Sequence, residues 1–356
     1  MCLQYILNVT QTGIRTVRRM LRTPVAFFIF NRPDTTATVF AAIARARPAT
    51  LLVVADGPRA SRPGEEELCA AARAIIDGVD WPCRVLTNFS DHNLGCRRRV
   101  SSGIDWVFSL VEEAIFLEDD CLPEPTFFPF CEQMLERYRT DLRVMHIGGT
   151  NFQGTARVSE ESYYFSRHVH VWGWASWRRA WRYYDVDMPA WTWARATGRA
   201  SDILSTPMER RAFTPLFNRV ARREIDTWDT QWTVACRAQN ALSVVPSRNL
   251  VSNIGFRGDA THTSDSGHPV ATMRTFPLAL PLTHPAYMLA DSAADERTTS
   301  MFRPSLYRRA RSLVFRLVHA VRHAPSAAPR SGPALLASAR RGGELARVPA
   351  SPADTE

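Results

Sequence analysis

Residues 114–120 read AIFLEDD, four apolar side chains running without a break into three acids. A short continuous apolar run is the pattern of a strand covered on both faces, as strands are in a parallel sheet under helices. The acids then fall at the carboxyl end of that strand, the edge along which α/β sheets bind their ligands. Toward the amino end, PVAFFIF (24–30) is a second such run, and NRPD (31–34) breaks it and offers Asp34 as the N-cap of a helix over 35–46. LLVVA (51–55) ends in Asp56-Gly57-Pro58, an acidic helix covers Glu65–Ile76, and a strand follows near Arg84–Asn88. Asn93-Leu94-Gly95 opens a helix from Cys96 to Glu112 that leads into AIFL itself. Beyond the acids come a helix over Pro125–Tyr138 and a strand at Arg143–Ile147. Strands alternating with helices at this spacing predict the α/β class: a doubly wound, mostly parallel sheet flanked by helices.

After Gly149 the regularity gives way to tryptophan. Six of the ten (Trp172, Trp174, Trp177, Trp181, Trp191, Trp193) fall between 172 and 193, and Trp228 and Trp232 flank Asp229. The expected organisation is a basic arm at 1–23, a first half at 24–150, a second at 151–265 and an irregular wrap at 266–300. A basic amphipathic helix at 301–325, centred on 304–323, and a disordered tail at 326–356 follow. In the helix, Leu306, Ala310, Leu313, Leu317 and Val321 share a stripe between arginines. The tail is rich in Ala, Pro, Ser and Gly.

The 356 residues are 45% hydrophobic and 22% charged, enough for a core and too apolar for a wholly disordered chain. All 44 basic residues are arginine, which excludes Schiff-base chemistry on lysine and a phosphate loop of the Walker type. The net charge of +9 sits at the ends: residues 1–23 carry +4, residues 301–356 carry +7, and the body between them −2. A nucleic-acid partner is therefore not expected. The seven cysteines lie far apart without metal-ligand spacing and read as reduced thiols. Neither a secretion signal nor a run of the ~20 apolar residues needed for a membrane span is found, so a cytoplasmic location is expected.

Three strand ends carry residues suited to chemistry: Asn31-Arg32, Asp56 and Glu118-Asp119-Asp120. Adjacent carboxylates at one strand end repel unless a divalent cation or a ligand hydroxyl answers them, and a hard cation there would grip a diphosphate. A solvated turn with an N-cap is the plainer alternative, as a turn-forming Asp-Gly-Pro is for Asp56 and a surface ion pair for Arg32.

IFLEDDCLPEPTFFPF (115–130) resembles the metal-binding segment of GT-A-fold glycosyltransferases, most closely the N-acetylglucosaminyltransferase I type. PVAFFIFNRPDTT with the later ADGPR is similar to that family's opening strand and next strand end. VWGWASWRRAW and DTWDTQW (226–232) resemble its GxGW and tryptophan-flanked catalytic segments. Order and spacing agree over residues 24–262. The resemblance implies a GT-A fold, a nucleotide-sugar half followed by an acceptor half, and an inverting transfer from a UDP-linked sugar to a glycan or lipid-linked acceptor, with Mn2+ or Mg2+. Residue by residue it implies Asn31 in the nucleotide-sugar site, Arg32 at the phosphates, Asp56 at the base, Arg97 and Arg98 in a segment closing over the nucleotide, and Glu118 and Asp119 at the ribose. Asp120 would be the metal ligand and Asp229 the general base. Thr230 stands where the family has a second acid, which makes Asp226, expected near the same helical face, a rival base. Trp174, Trp228 and Trp232 are the acceptor candidates, against the alternative of plain core residues. His262 is a possible metal ligand or an ordinary histidine.

Two other readings compete. A sugar-1-phosphate nucleotidyltransferase shares such a sheet but wants a glycine-rich basic loop after the first strand, where NRPDTT has neither glycine nor lysine. A non-catalytic, membrane-associated carbohydrate-binding protein on a degenerate transferase fold would be expected to lack Asp120 or Asp229. For the transferase, assembly of surface polysaccharide or lipopolysaccharide is the expected setting, with 304–323 lying on an anionic leaflet or packing on the protein's own body.

Overall fold

The apolar run at 24–30 forms β1 (Val25–Ile29), buried along its whole length. Pro33 then sets the backbone of the first turn of α1 (Pro33–Ala46), so the N-cap is Arg32 and Asp34 falls inside the first turn, not at the cap as expected. In the computed structural model, residues 20–154, 159–256, 270 and 273–302 are described. The chain divides into two units, Met1–Arg303 and Pro304–Glu356, and the description concerns the first.

Strand β2 (Thr50–Ala55) and helix α2 (Glu65–Ala74) follow, then β3 (Arg84–Phe89), α3 (Cys96–Leu110) and β4 (Glu113–Glu118). The short β5 (Cys121–Pro123), α4 (Phe127–Arg137) and β6 (Val144–Gly148) complete the first half. The second half supplies β7 (Tyr163–Ser166), β8 (Trp174–Trp177), five helices and two strands: α5 (Arg178–Trp181), α6 (Pro189–Ala196), α7 (Ala200–Ile203), α8 (Pro207–Ala221), α9 (Asp229–Ala238), β9 (Leu242–Pro246) and β10 (Val251–Asn253). Residues 266–300, expected to be irregular, include most of a helix, α10 (Ser292–Met301). Asp291 caps it by accepting the Ala294 N–H at 2.9 Å, and Ala294, Thr298 and Thr299 are buried along it.

Eight strands make one sheet in the order β3-β2-β1-β4-β8-β6-β9-β7. The pairs β3/β2, β2/β1, β1/β4 and β6/β9 are parallel, whereas β8 runs against both its neighbours and β7 against β9. The doubly wound, mostly parallel α/β fold expected from the sequence is thus present. Strands of the two expected halves share this one sheet, with β8 between β4 and β6, so one hydrophobic core runs through both. A separate antiparallel ribbon pairs β5 with β10 and sets Asn253 opposite Cys121, directly after the acids.

The six cysteines among the described residues are free thiols, and none of the described helices is long and apolar enough to cross a membrane. His262, the stretch 304–323 and the tail 326–356 lie outside the described residues.

Candidate active site

The carboxyl ends of β1, β2 and β4 open into a cavity of about 590 Å³. Arg32, Asp56, Glu118, Asp119, Asp120, Asp226, Trp228 and Asp229 all line it, so eight of the residues singled out in the sequence converge although they span nearly 200 positions. The sheet topology explains the convergence: β1 lies between β2 and β4, with Phe28 opposite Glu118, so three strand ends meet at one edge.

The acids are unequal. Asp119 is buried; its Oδ2 accepts the Phe30 N–H at 3.2 Å and its Oδ1 accepts from Arg32 Nη2 at 2.5 Å. The same nitrogen reaches Asp120 Oδ2 at 3.1 Å, so one guanidinium ties two adjacent carboxylates. Burial alone would lower the Arg32 pKa, but the charges of Asp119 and Asp120 more than offset that and hold it above its ordinary value. Burial and the charges of Asp120, Asp119 and Asp229 push Glu118 well above the usual carboxylate range. Burial and the Asp120 charge do the same to Asp119, against the opposing pull of Arg32.

Asp120 is braced from the β5/β10 ribbon. Its backbone carbonyl accepts the Ile254 N–H at 2.8 Å, and Gly255 backs its side chain so closely that a Cβ there would lie 2.4 Å from Asp120 Oδ2. Among the described residues no three His, Cys, Asp or Glu side chains are grouped to hold a metal ion. The donor chemistry still fits a hard cation of the Mg2+ or Mn2+ kind, which is held by one or two carboxylates together with substrate phosphates, without a full protein cage. Six acidic side chains line the cavity (Asp56, Glu118, Asp119, Asp120, Asp226, Asp229) against three guanidiniums (Arg32, Arg59, Arg99), an excess that a divalent cation would answer.

Asp229 is the first residue of α9. Its Oδ1 accepts from Thr227 Oγ1 at 2.5 Å and from the Thr230 N–H at 2.7 Å, while its Oδ2 takes no hydrogen bond among the described residues. Thr230, the departure from the family pattern, is thus part of the fixture that holds Asp229. Because the helix starts at 229, Asp226 is not on its face as expected; it precedes the helix and, although it lines the same cavity, accepts the Cys96 N–H at 2.9 Å and the Arg97 N–H at 3.3 Å.

Other expectations need correction. Asp56 accepts from Gly57 N and Leu94 N at 2.9 Å each, from Asn93 Nδ2 at 3.0 Å and from Gly95 N at 3.1 Å. Those four bonds use the acceptor capacity of a carboxylate, so Asp56 fastens the 93–95 turn and has none left for a base. Burial still raises its pKa against the effect of those bonds. Asn31 donates to Glu65 Oε1 at 2.9 Å and does not line the cavity. Nor do Arg97 and Arg98; of the three adjacent arginines it is Arg99 that lines it, with its guanidinium donating to the Ala55 and Asn88 carbonyls at the ends of β2 and β3.

Trp174 and Trp232 are core residues. Trp174 stacks on Phe116 across the β4/β8 pair, centroids 4.4 Å apart, and packs on His146 and on Trp228. Trp232 is fully buried and donates its indole N–H to His146 Nδ1 at 3.3 Å. Of the three acceptor candidates only Trp228 lines the cavity. The aromatic wall is completed by Trp172, Phe152 and Phe302, with Phe152 meeting the other two rings edge-on at 5.4 and 5.7 Å. Trp172 belongs to the visible tryptophan cluster, but nothing in the sequence distinguishes it there. Arg59 also lines the cavity, over the Phe30 ring and paired with Glu65.

No family model and no curated protein matches the chain. Among solved structures it is similar to a mannosyltransferase from Pyrobaculum calidifontis in complex with GDP-Man and Mn2+, at 15% identity, covering 44% of this chain and 45% of that one, with a TM-score of 0.31. It is also similar to a UDP-glucose pyrophosphorylase complexed with UDP-glucose, at 12% identity over 40% of this chain and 62% of that one, TM-score 0.22. A third likeness is to mouse xyloside xylosyltransferase 1 in its apo form, at 10% identity over 60% of this chain and 81% of that one, TM-score 0.28. The chain spans less than half the length of the first and less than two thirds of the second. None of the three is an N-acetylglucosaminyltransferase of the I type.

Proposed function

We propose that this protein is a metal-dependent glycosyltransferase that moves a sugar from a nucleotide-diphospho-sugar to a hydroxyl of a glycan or lipid-linked acceptor, with inversion at the anomeric carbon. The observation that carries this reading is that Asp229, with one carboxylate oxygen fixed and the other without a partner among the described residues, shares one cavity with the Arg32-tied acids at the end of β4.

In this reading the free oxygen of Asp229 takes the proton of the acceptor hydroxyl as the acceptor oxygen bonds to the anomeric carbon. The bond from that carbon to the diphosphate breaks on the opposite face, and its electron pair leaves with the nucleotide diphosphate. Asp120 would hold a divalent cation which, when bound, neutralises the diphosphate and stabilises its departure. Arg32, beside Asp119 and Asp120 at the end of β4, would contact a phosphate oxygen of the diphosphate. Trp172, half-buried on the cavity wall, offers an apolar face to a sugar ring on the acceptor side.

The test is incubation with Mn2+ and a panel of UDP-sugars and GDP-mannose. A transferase releases nucleoside diphosphate. Nucleoside triphosphate formed on adding pyrophosphate would assign a nucleotidyltransferase instead, and no nucleotide product would leave only a binding role.

A further inference from the structure

Four consecutive backbone N–H groups, those of Leu94, Gly95, Cys96 and Arg97, donate to side-chain carboxylates, two to each. Leu94 and Gly95 donate to Asp56 at 2.9 and 3.1 Å, and Cys96 and Arg97 to Asp226 at 2.9 and 3.3 Å. The first carboxylate comes from the end of β2. The second, Asp226, lies 130 residues beyond Cys96, three positions before Asp229, and satisfies amides of the first turn of α3, whose own N-cap, Gly95, has no side chain to do so. Gly95 is suited to this: its φ is +79°, and a Cβ there would lie 2.7 Å from Asp226 Oδ2. The Arg97 guanidinium adds an electrostatic hold, with Nε 3.9 Å from Asp226 Oδ1.

We propose that Asp226 is a positioning residue: by capping α3 it ties the segment 226–229 to the turn at 93–97 and so sets the place of Asp229. This rests on the reading of Asp229 as the base. The physical argument is that a base acts only within hydrogen-bond reach of its proton, and that segment 226–228 precedes α9 as a loop, whose position is set by what it is fastened to. Among the described residues the Asp226 side chain has no other hydrogen-bond partner than the two amides.

The role separates from that of a rival base because an asparagine oxygen can still accept the shorter bond, from the Cys96 N–H, giving up only the longer Arg97 one, but cannot take a proton. Asp226→Ala is expected to lower kcat about 10- to 100-fold, with the donor KM within about twofold, and Asp226→Asn to recover part of that loss through the Cys96 bond. Gly95→Ala, which pushes on the same carboxylate from the other side, should reproduce the loss. Amide hydrogen exchange gives a second readout independent of turnover: in Asp226→Ala the Cys96 and Arg97 amides should exchange faster while Leu94 and Gly95, held by Asp56, stay protected.

Asp226→Asn as damaging as Asp226→Ala would overturn the proposal and make Asp226 the base. Unchanged exchange at Cys96 and Arg97, or full activity of Asp226→Ala, would overturn it as well. If Asp226→Ala shows the exchange response but the wild type turns over no nucleotide-sugar, the functional reading is defeated, and the positioning role with it. Turnover in the wild type with no exchange response would defeat the tie alone.

Discussion

One nitrogen of Arg32 bonds both Asp119 and Asp120, at 2.5 and 3.1 Å, and so answers part of the repulsion that three consecutive acids create at the end of β4. The guanidinium is 23% exposed and the two carboxylates 4% and 13%, so water screens the group only in part. Removing Arg32 leaves buried like charges unanswered, which is the costly way to break an ion pair. Arg32→Ala is expected to lower the unfolding free energy by about 1–3 kcal/mol after allowance for that partial exposure, read from denaturant curves. Millimolar Mn2+ should restore more stability to the variant than to the wild type. Equal responses to Mn2+ would count against a cation binding at these acids.

Asp120 is where a cation would be held. Asp120→Asn keeps the shape of the side chain but removes the charge, so transfer should be lost while the melting temperature stays near that of the wild type. EDTA should abolish wild-type activity, and added Mn2+ or Mg2+ should restore it. Full activity in EDTA would sink the assignment.

The general base has its own signature. Asp229→Asn should reduce kcat by about 10²–10⁴ with nucleotide-sugar binding little changed, as a calorimetric titration of the donor would show. Because Thr227 and Thr230 both donate to Oδ1, an amide with its oxygen there keeps the local geometry, and the loss reports the missing proton acceptor.

Much of this site was legible because it depends on local signals. The run AIFL followed by EDD identifies a buried strand with charge at its end, and sheet topology then brings the ends of β1, β2 and β4 together. What was not legible depends on partners distant in sequence. Asn31 reads as a cavity residue until Glu65, 34 positions on, takes its amide. Asp56 reads as a free recognition group until the 93–95 turn folds onto it. Ile254 and Gly255 carry no chemical motif, and they reach Asp120 only because β10 pairs antiparallel with β5. Trp172 and Trp174 could not be told apart by period, since Gly173 between them has φ +61° and ends the strand alternation.

The tryptophans offer a clean contrast. Trp174→Ala removes a ring packed against Phe116, His146 and Trp228 and should cost about 3–5 kcal/mol of stability, the usual range for a large buried aromatic. Trp172→Ala, at a half-buried position on the cavity wall, should cost less stability and raise the acceptor KM instead. Chemical denaturation and acceptor kinetics on both variants check this. A raised acceptor KM for Trp174→Ala at full stability would restore it as an acceptor residue.

The last prediction concerns pH. His146 is fully buried, and burial pushes its pKa down to about 4. Trp232 can only donate, so His146 Nδ1 must accept its N–H, and Nε2 then carries the proton donated to the His170 carbonyl at 3.0 Å. Both nitrogens are used by the neutral ring. His168 is likewise lowered to about 4, by burial and by the Arg237 charge, and His170 is lowered by burial. In the unfolded chain these rings take up protons near pH 6.5, whereas in the folded protein they stay neutral to about pH 4. Stability from this source is therefore complete above pH 6.5 and is lost as pH falls toward 4, on the order of 3 kcal/mol for each of His146 and His168. The raised carboxyls Glu118 and Asp119 work in the opposite direction, because they bind protons more readily folded than unfolded. A substitution isolates the histidine contribution: His146→Gln retains one donor and one acceptor but cannot be protonated. Its unfolding free energy, measured between pH 6.5 and 4, should fall with a slope shallower by about one proton than that of the wild type. Identical slopes would show that His146 titrates normally in the fold.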